Sequence, residues 1–189
     1  QKNGEADFRK GYYAGLDEWK GFSKADDGSC AGFLHKNLFD PLEIDSNHIH
    51  LFNGNYDDFE IEADLMYKFI ERHGGISYIL LGIGMNGHIG LNEPGTPFNS
   101  GIGEIRIDSV TQTVGQKYFK NSTDIEFGIT LGIKDILKVP EIVLTVQSSR
   151  KHEILKAFLE SDPNPCLPAT ALKLSNGLEV VADKEAVGQ

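Results

Sequence analysis

The apolar and polar positions of this chain follow two spacings, one typical of helices and one typical of buried strands. Residues 57–72 carry apolar side chains three and four positions apart, and the pair Gly74-Gly75 that follows can end a helix. Residues 76–83 form a nearly continuous apolar run, which predicts a central strand buried on both faces. A second buried strand is predicted at 141–146, with a helix after it at 149–159.

Shorter patterns complete the predicted elements. Further strands are predicted at 8–14, 48–52, 104–107 and 178–182, and further helices at 29–39, 111–119 and 133–137. Ser29 can cap its helix, and residues 16–19 are expected to form a loop. Phe33, Leu34 and Leu38 share one face of the 29–39 helix. Strands that alternate with helices imply right-handed crossovers. We therefore expect an α/β fold, with an open, mostly parallel, Rossmann-like sheet flanked by helices in one domain over 1–189.

Polar residues fall at three predicted strand ends, where parallel α/β sheets bind their ligands. They are Asp17, the loop of residues 84–93, and the run Ser148-Ser149-Arg150-Lys151. The loop belongs to a stretch of sixteen residues with five glycines, which let the backbone turn sharply and approach a ligand closely. The three groups together predict a site at one edge of the sheet.

His88 and Glu93 lie five positions apart in this loop, so an imidazole and a carboxylate can be aimed at one small space. The imidazole can move protons near neutral pH, and the carboxylate can hold one ring nitrogen. The alternative is that His88 only stabilises the loop. The pattern Gly82-x-Gly84-x-x-Gly87 matches a dinucleotide-binding fingerprint, but no acidic residue ends a following strand at the required distance, and we reject that interpretation.

One carboxylate and two lysines are further candidates. Asp17 could act as a general base; the alternative is a solvated acidic turn formed with Glu18. Lys151 opens a predicted helix, where backbone amides and an ammonium group together favour a phosphate, although a plain surface lysine fits equally well. Lys117 is a weaker candidate of the same kind.

Composition narrows the class of partner. A formal net charge of −10 argues against nucleic acid, although it leaves a small anionic ligand open. No apolar run reaches the length of a membrane span, and the polar residues 1–5 resemble no signal peptide. Cys30 and Cys166 lack the spacing of metal ligands, so we expect two free thiols in a cytoplasmic protein.

The motif Gly84-x-Asn86-Gly87-His88-Ile89-Gly90-x-Asn92-Glu93-Pro94-Gly95 closely resembles the signature of the glucosamine-6-phosphate deaminase (isomerase) family. Blocks at 16–19, 33–39 and 51–55 match further parts of the family pattern in order, as does the helix that Lys151 opens. The related 6-phosphogluconolactonases share a Gly-His loop but lack the Asn-Glu-Pro continuation.

The resemblance implies a deamination coupled to aldose–ketose isomerisation, in which an amino-sugar 6-phosphate becomes a ketohexose 6-phosphate and ammonia. His88 would open the sugar ring, with Asn86 and Glu93 orienting the imidazole. Asp17 would take the C2 proton and return it at C1 through an enolamine. Such proton transfers require no metal or organic cofactor.

The same resemblance assigns the substrate phosphate to Lys117 and Lys151, with Gly84 and Gly87 lining the substrate. Lys117 stands where an arginine is expected, and a lysine offers a point charge rather than a bidentate fork. This departure leaves glucosamine 6-phosphate and galactosamine 6-phosphate both open as substrates.

Two other departures concern Asn86 and the start of the chain. Asn86 stands where the best-known family members have Asp, so it can hold the imidazole but cannot stabilise an imidazolium by charge; we expect retained activity. No glycine-rich phosphate loop precedes Leu16, so the domain is expected to be N-terminally incomplete. The oligomeric state, including a homo-oligomer, is left open.

Three alternatives to the enzyme remain at this point. They are a sensor domain that binds a sugar phosphate without turnover, a hydrolase of the 6-phosphogluconolactonase kind, and an inactive fragment. Binding alone does not require a base at C2, so the joint presence of Asp17, His88 and Glu93 favours the enzyme.

Overall fold

A computed structural model of the chain describes residues 6–189, so the N-terminal residues 1–5 considered above lie outside the described part. The strands of that part are β1 (Tyr13–Ala14), β2 (Asp17–Trp19), β3 (Ile49–His50), β4 (Tyr78–Gly82), β5 (Gly103–Arg106), β6 (Phe127–Thr130), β7 (Glu141–Val146) and β8 (Leu178–Ala182). Its α-helices are α1 (Cys30–Leu34), α2 (Phe59–Arg72), α3 (Ser109–Gly115), α4 (Ile133–Ile136) and α5 (His152–Glu160). A π-helical turn, His35–Phe39, extends α1, and 3-10 turns lie at Phe8–Lys10, Ser46–His48, Gln116–Tyr118, Ser149–Lys151 and Pro168–Leu174.

The strands form three sheets. β4, β7 and β8 are parallel in the order β4-β7-β8, and β1 pairs with β3, also in parallel. β2, β6 and β5 form a separate antiparallel sheet in the order β2-β6-β5. The expected α/β fold with parallel sheets and flanking helices is therefore confirmed, and the antiparallel sheet is an addition that the sequence did not predict.

Helix α2 agrees closely with its prediction. The Asp58 side chain accepts a hydrogen bond from the Glu60 amide and so caps the first turn. Ala63 and Met66 are buried on its inner face. At the other end Gly74, at φ +82°, begins the turn in which the Gly75 amide donates to the Ile70 carbonyl at 2.9 Å.

Some predicted elements are shorter than expected or placed differently. The predicted strand 8–14 is a 3-10 turn followed by the two residues of β1, and the predicted strand 48–52 reduces to β3. Phe33 is 63% exposed, so it does not share a buried face with Leu34 and Leu38. Residues 16–19 are not a loop, because Asp17–Trp19 pairs with β6 across a separation of more than one hundred positions.

The prediction that β4 is buried on both faces is wrong. Ile79 and Leu81 face the core, whereas Tyr78 and Leu80 are 50% and 58% exposed. A continuous apolar run cannot distinguish the two faces of a strand, because burial depends on what the fold packs against each face. β4 nevertheless carries the loop that follows it into the centre of the molecule.

Two apolar clusters hold that loop in place. The larger packs α2 and α5 against β4 and β7, with Met66, Leu81, Ile142 and Phe158 almost wholly buried. The smaller contains Trp19, Leu91, Ile107 and Ile125, beside the antiparallel sheet. Ile89 belongs to the first cluster and Leu91 to the second, so the loop after β4 is anchored in both. In residues 6–189 no helix has the length and apolarity needed to cross a membrane.

Candidate active site

The loop of residues 84–93 is closed by its own hydrogen bonds. The Gly84 amide donates to the His88 carbonyl at 2.8 Å, and the Gly87 amide donates back to the Gly84 carbonyl at 3.1 Å. The Asn92 side chain donates to the carbonyls of Ile89 and Leu131, both at 2.9 Å. These bonds fix the backbone that carries His88 and Glu93 and tie it to the end of β6.

Glycine at position 84 makes room for the histidine. A Cβ built on Gly84 would lie 2.4 Å from atoms of the His88 ring, so the imidazole packs directly over the backbone there. Gly87 adopts φ +85°, and a Cβ on it would meet Leu167 at 2.1 Å. Both glycines are thus required by the shape of the loop, whatever they contribute to a ligand.

His88 is surrounded by the polar groups expected from the sequence and by one that was not. Its Nδ1 lies 2.8 Å from Asn86 Oδ1 and 3.5 Å from Glu93 Oε2. Thr111 Oγ1, at the inner side of α3, lies 3.0 Å from the same nitrogen. The structure therefore brings Asn86, His88 and Glu93 together and adds Thr111, for which the sequence offered no signal.

Glu93 is 5% exposed and is held as an anion by its neighbours. Burial acts to raise the pKa of this carboxyl, but the hydrogen bond and positive charge of His88, with hydrogen bonds from Thr111 and Asn86, outweigh it and lower the pKa. Asn86 Nδ2 donates to Glu93 Oε2 at 2.7 Å. A carboxylate kept ionised beside an imidazole can stabilise that ring when it takes up a proton.

Asp17 begins β2 and points toward the same loop. A Cβ built on Gly90 would lie 3.5 Å from Asp17 Oδ2, which places the carboxylate against the loop backbone. The pKa of Asp17 is raised to about 6, chiefly by burial and also by the charge of Glu18, while a hydrogen bond with Cys30 and the charge of His88 act to lower it. Asp17 is thus a carboxyl group that exchanges a proton not far from neutral pH.

Glu18 is a buried residue for which the sequence predicted no role of its own. It is 1% exposed rather than part of a solvated turn. Its carboxylate accepts hydrogen bonds from the amides of Trp19, Cys30 and Ala31, each at 2.9 Å, and from the Ser29 hydroxyl at 2.8 Å. These bonds fasten β2 to the first turn of α1 and bring the Cys30 thiol to Asp17. The contact spans eleven or more positions, so no local pattern could have shown it.

Lys151 and Lys117 lie near one another, on different elements. Lys151 ends the 3-10 turn before α5, and its Nζ donates to the Ile83 carbonyl at 2.6 Å, just after β4. Partial burial lowers the pKa of Lys151, and the positive charge of Lys117 lowers it further. Two ammonium groups held close enough to repel each other form a cationic region that suits an anion.

Ser148 shapes the chain where it leaves β7. Its φ of +81° is rare for a residue with a side chain, and its amide donates to Asp183 Oδ2 at 2.9 Å. The turn that follows carries Lys151 back toward the end of β4. Strained backbone of this kind is commonly found at ligand sites.

The surface cavities of the described chain lie away from these polar residues. Two surface cavities of about 390 and 380 Å³ lie beside β3 and beside α2, and neither contains Asp17, His88 or either of the two lysines. Residues 6–189 contain no group of three or more His, Cys, Asp and Glu side chains arranged to hold a metal ion. The polar residues named above therefore remain the candidate site.

Comparison with known proteins identifies relatives along almost the whole chain. The model of the family of glucosamine-6-phosphate isomerases and 6-phosphogluconolactonases matches residues 20–181. A glucosamine-6-phosphate deaminase of Clostridium botulinum (strain Hall) is 33% identical over 189 residues, 100% of this chain and 78% of the relative. A glucosamine-6-phosphate deaminase of Bacillus pumilus is 34% identical over 180 residues, 95% of this chain and 75% of the relative.

Solved structures give the same result. A monomeric glucosamine-6-phosphate deaminase of the NagB superfamily superposes with a TM-score of 0.88 at 32% identity, covering 93% of this chain and 73% of that one. A 6-phosphogluconolactonase from Thermotoga maritima superposes with a TM-score of 0.74 at 15% identity, covering 95% and 75%. The second likeness is one of fold alone.

Proposed function

Because the chain belongs to the family of glucosamine-6-phosphate isomerases and 6-phosphogluconolactonases, we propose that it catalyses the conversion of glucosamine 6-phosphate to a ketohexose 6-phosphate and ammonia. The observation that carries this choice within the family is the similarity to named deaminases, at 33% identity over the full chain and a TM-score of 0.88. The lactonase structures reach only fold-level similarity.

Ring opening is assigned to His88. Its Nδ1 faces Asn86 Oδ1 at 2.8 Å, so with Nδ1 protonated the other ring nitrogen, Nε2, is free to accept a proton. Nε2 takes the proton of the anomeric hydroxyl and gives it to the ring oxygen as the C1–O5 bond breaks. The product is the open-chain aldehyde, and Glu93 stabilises the imidazolium that exists between the two transfers.

Isomerisation is assigned to Asp17. The ionised carboxylate removes the proton from C2 of the aldehyde while the C2 ammonium group gives one of its protons to O1, which produces an enolamine. Asp17 then returns its proton at C1, which leaves an iminium group at C2. Water adds to that carbon and ammonia leaves, so the ketose forms with no change in total redox state. A base with a pKa of about 6 is well matched to this task, since it is mostly ionised at neutral pH yet holds a proton long enough to return it.

The two lysines are assigned to the phosphate group. The Lys151 ammonium donates to a backbone carbonyl beside the Gly84 turn and is repelled by Lys117, so a dianion between them would relieve that repulsion. Gly84 and Gly87 are assigned to the substrate through their backbone, since a side chain at either position would meet His88 or Leu167. Residues of this site require no metal or organic group for the transfers described.

Ammonia release from glucosamine 6-phosphate tests the proposal directly. We expect turnover by the wild-type chain and a loss of at least ~100-fold in Asp17→Asn, because a positioned base contributes that much. Galactosamine 6-phosphate is assayed in parallel, as the alternative substrate that Lys117 leaves open. Hydrolysis of 6-phosphogluconolactone without ammonia release would support the lactonase instead, and thermal stabilisation by sugar phosphate without any turnover would support a sensor.

Location and assembly remain predictions. The free thiols of Cys30 and Cys166 are the feature that supports a reducing, cytoplasmic environment. The oligomeric state of this chain, including a homo-oligomer, is left open. The solved glucosamine-6-phosphate deaminase that it resembles is described as monomeric. Light scattering at several protein concentrations would establish the assembly of this chain.

A further inference from the structure

The side-chain amide of Asn86 is placed between the histidine and two carboxylates. Asn86 Nδ2 lies 2.7 Å from Glu93 Oε2, 3.1 Å from Asp108 Oδ1 and 3.4 Å from Thr111 Oγ1. On the other side, Asn86 Oδ1 lies 2.8 Å from His88 Nδ1 and 3.3 Å from the His88 amide. The nitrogen of the amide therefore faces negative charge, and its oxygen faces the imidazole.

This placement permits only one orientation of the amide. Ionised carboxylates accept hydrogen bonds and cannot donate them, so the group facing Glu93 and Asp108 must be the NH₂ of Asn86. The oxygen must then face His88. Because two acceptors do not lie 2.8 Å apart without a proton between them, Nδ1 of the ring carries the hydrogen that is donated to Asn86 Oδ1. The two carboxylates thus determine which nitrogen of His88 carries the proton, acting through the amide of Asn86.

The Asp108 side chain is fixed in position, and its carboxylate faces Asn86. It caps α3, and its Oδ1 also accepts a hydrogen bond from the Val110 amide at 2.9 Å. In residues 6–189 no Lys, Arg or His side chain lies within 4 Å of its carboxylate. Its negative charge therefore acts on Asn86 without a competing counter-ion.

We propose that Asp108 is a positioning residue for His88, acting through Asn86: it fixes the tautomer with Nε2 free and supplies the negative charge that an aspartate at position 86 would otherwise provide. The hydrogen bond polarises the amide, which makes Oδ1 a stronger acceptor for a ring that becomes positive during ring opening. This inference rests on the proposed function for its kinetic consequences only, since the tautomer can be observed in the resting protein.

The same geometry explains why position 86 is an amide in this chain. An aspartate there would place a third carboxylate within about 3 Å of Glu93 and Asp108, and like charges at that distance cannot all ionise. The groups that face His88 are then complete: Asn86 and Glu93 from its own loop, Thr111 from α3, and Asp17 from β2, whose charge interacts with the ring.

A double-mutant cycle tests the proposal. Asp108→Ser removes the charge but keeps a side chain that caps α3, so the helix should be retained. We expect kcat to fall ~5-fold with KM almost unchanged, because the lost interaction is strongest in the ring-opening transition state. Asn86→Asp alone should lower kcat ~10-fold, since it adds the third carboxylate. The double variant should recover to within ~3-fold of wild type, because the charge has only moved.

A second readout is independent of turnover. The ¹⁵N resonances of His88 should show protonated Nδ1 and unprotonated Nε2 in the wild-type protein at pH 8, and a mixture of tautomers in Asp108→Ser. Unchanged kinetics and an unchanged tautomer in Asp108→Ser, or strictly additive losses in the double variant, would overturn the inference while leaving the proposed function intact. Absence of ammonia release by the wild-type chain would instead refute the proposed function, and the resonances would still decide the role of Asp108.

Discussion

The Cys30 thiol is a hydrogen-bond donor to the residue assigned as the base. Burial raises the pKa of Cys30 well above its ordinary value, and the charges of Asp17 and Glu18 raise it further, so the thiol keeps its proton at neutral pH. Its hydrogen bond favours the ionised form of Asp17 and lowers the pKa of that carboxyl against the effect of burial. Cys30 therefore helps to decide the pH at which the base becomes ionised.

Cys30→Ala should move the pH dependence of the reaction. In the proposed mechanism Asp17 acts in its ionised form, so activity should be lost as pH falls through the pKa of Asp17, about 6 in the folded protein. Without the thiol donor that pKa rises, and the acidic limb of the kcat/KM profile should shift upward by about half a pH unit. Cys166→Ala, at an exposed position, is the control and should leave the limb in place. A limb that stays fixed in Cys30→Ala would show that the thiol does not act on the base.

Two glycines two positions apart on the same segment differ in what surrounds them. A Cβ on Gly84 would meet the His88 ring at 2.4 Å, whereas a Cβ on Gly82 has nothing within 4 Å. Gly84→Ala should therefore displace the imidazole and lower kcat at least ~10-fold, because small misplacement of a reacting group is costly. Gly82→Ala should keep at least half of the activity. Equal activity in the two variants would mean that the ring position is not critical.

Glu18 acts at the level of elements, since it joins a strand to a helix. Three backbone amides and one hydroxyl donate to its carboxylate at the junction of β2 and α1. A carboxylate buried without a basic partner is stable only when its oxygens are satisfied in this way. The junction sets where Asp17 and Cys30 stand relative to each other.

Removing this junction should reduce stability and activity together. Glu18→Ala leaves buried amides unsatisfied, so the free energy of unfolding should fall by about 2–4 kcal/mol, as measured by urea denaturation. Glu179→Ala, at an exposed position of β8, should change it by less than about 0.5 kcal/mol. If Glu18→Ala were as mild as the control, the hydrogen bonds around Glu18 would contribute little to the fold.

Sequence patterns predicted best those elements whose determinants lie close together in the chain. α2 has its cap, apolar face and terminating glycines within about twenty consecutive positions. β2 was predicted as a loop because its pairing with β6 and the burial of Glu18 arise from distant parts of the chain. The exposed face of β4 was predicted wrongly for the same reason. Tyr78 and Leu80 are apolar, but their sequence does not show whether another element packs against them.

At the scale of the whole molecule, the candidate site has two parts. One is a loop whose polar residues could be predicted from the sequence, and the other consists of contacts between residues that are distant in the sequence. Asn86, His88 and Glu93 could be predicted together because they share a loop of ten residues. Asp17 could be named from its motif, but its raised pKa depends on burial. The approach of Asp108 to Asn86 joins residues twenty-two positions apart through α3, and no spacing rule covers it.

The whole molecule also bears an energetic cost for its base. The pKa of Asp17 is about 6 in the folded chain against an ordinary value of 3.8, so the folded state binds the proton more tightly than the unfolded state. Stability therefore falls as pH rises from about 4 to about 6, and the loss is complete above that window. The difference corresponds to up to about 3 kcal/mol.

Asp17→Asn should show this cost directly. At pH 8 the variant should be more stable than wild type by up to about 3 kcal/mol in urea denaturation, although its activity should be lost. Below pH 4 the two proteins should agree, because Asp17 is then protonated in both states. Asp57→Asn, at an exposed position, should match wild type at both pH values. A variant no more stable than wild type at pH 8 would mean that Asp17 is not strained by burial.

Cys166 offers a consequence of a different kind, for labelling. It is exposed, whereas the raised pKa of Cys30 keeps that second thiol in its unreactive protonated form. An alkylating dye should therefore attach at one position without any cysteine being removed. The neighbouring Pro165 carbonyl accepts the Gly95 amide at 2.8 Å, and the Ala169 amide donates to Gly87 at 2.9 Å, so the dye would sit against the outer side of the histidine loop. If the proposed function holds, the fluorescence of the dye should change when glucosamine 6-phosphate binds on the other side of the loop.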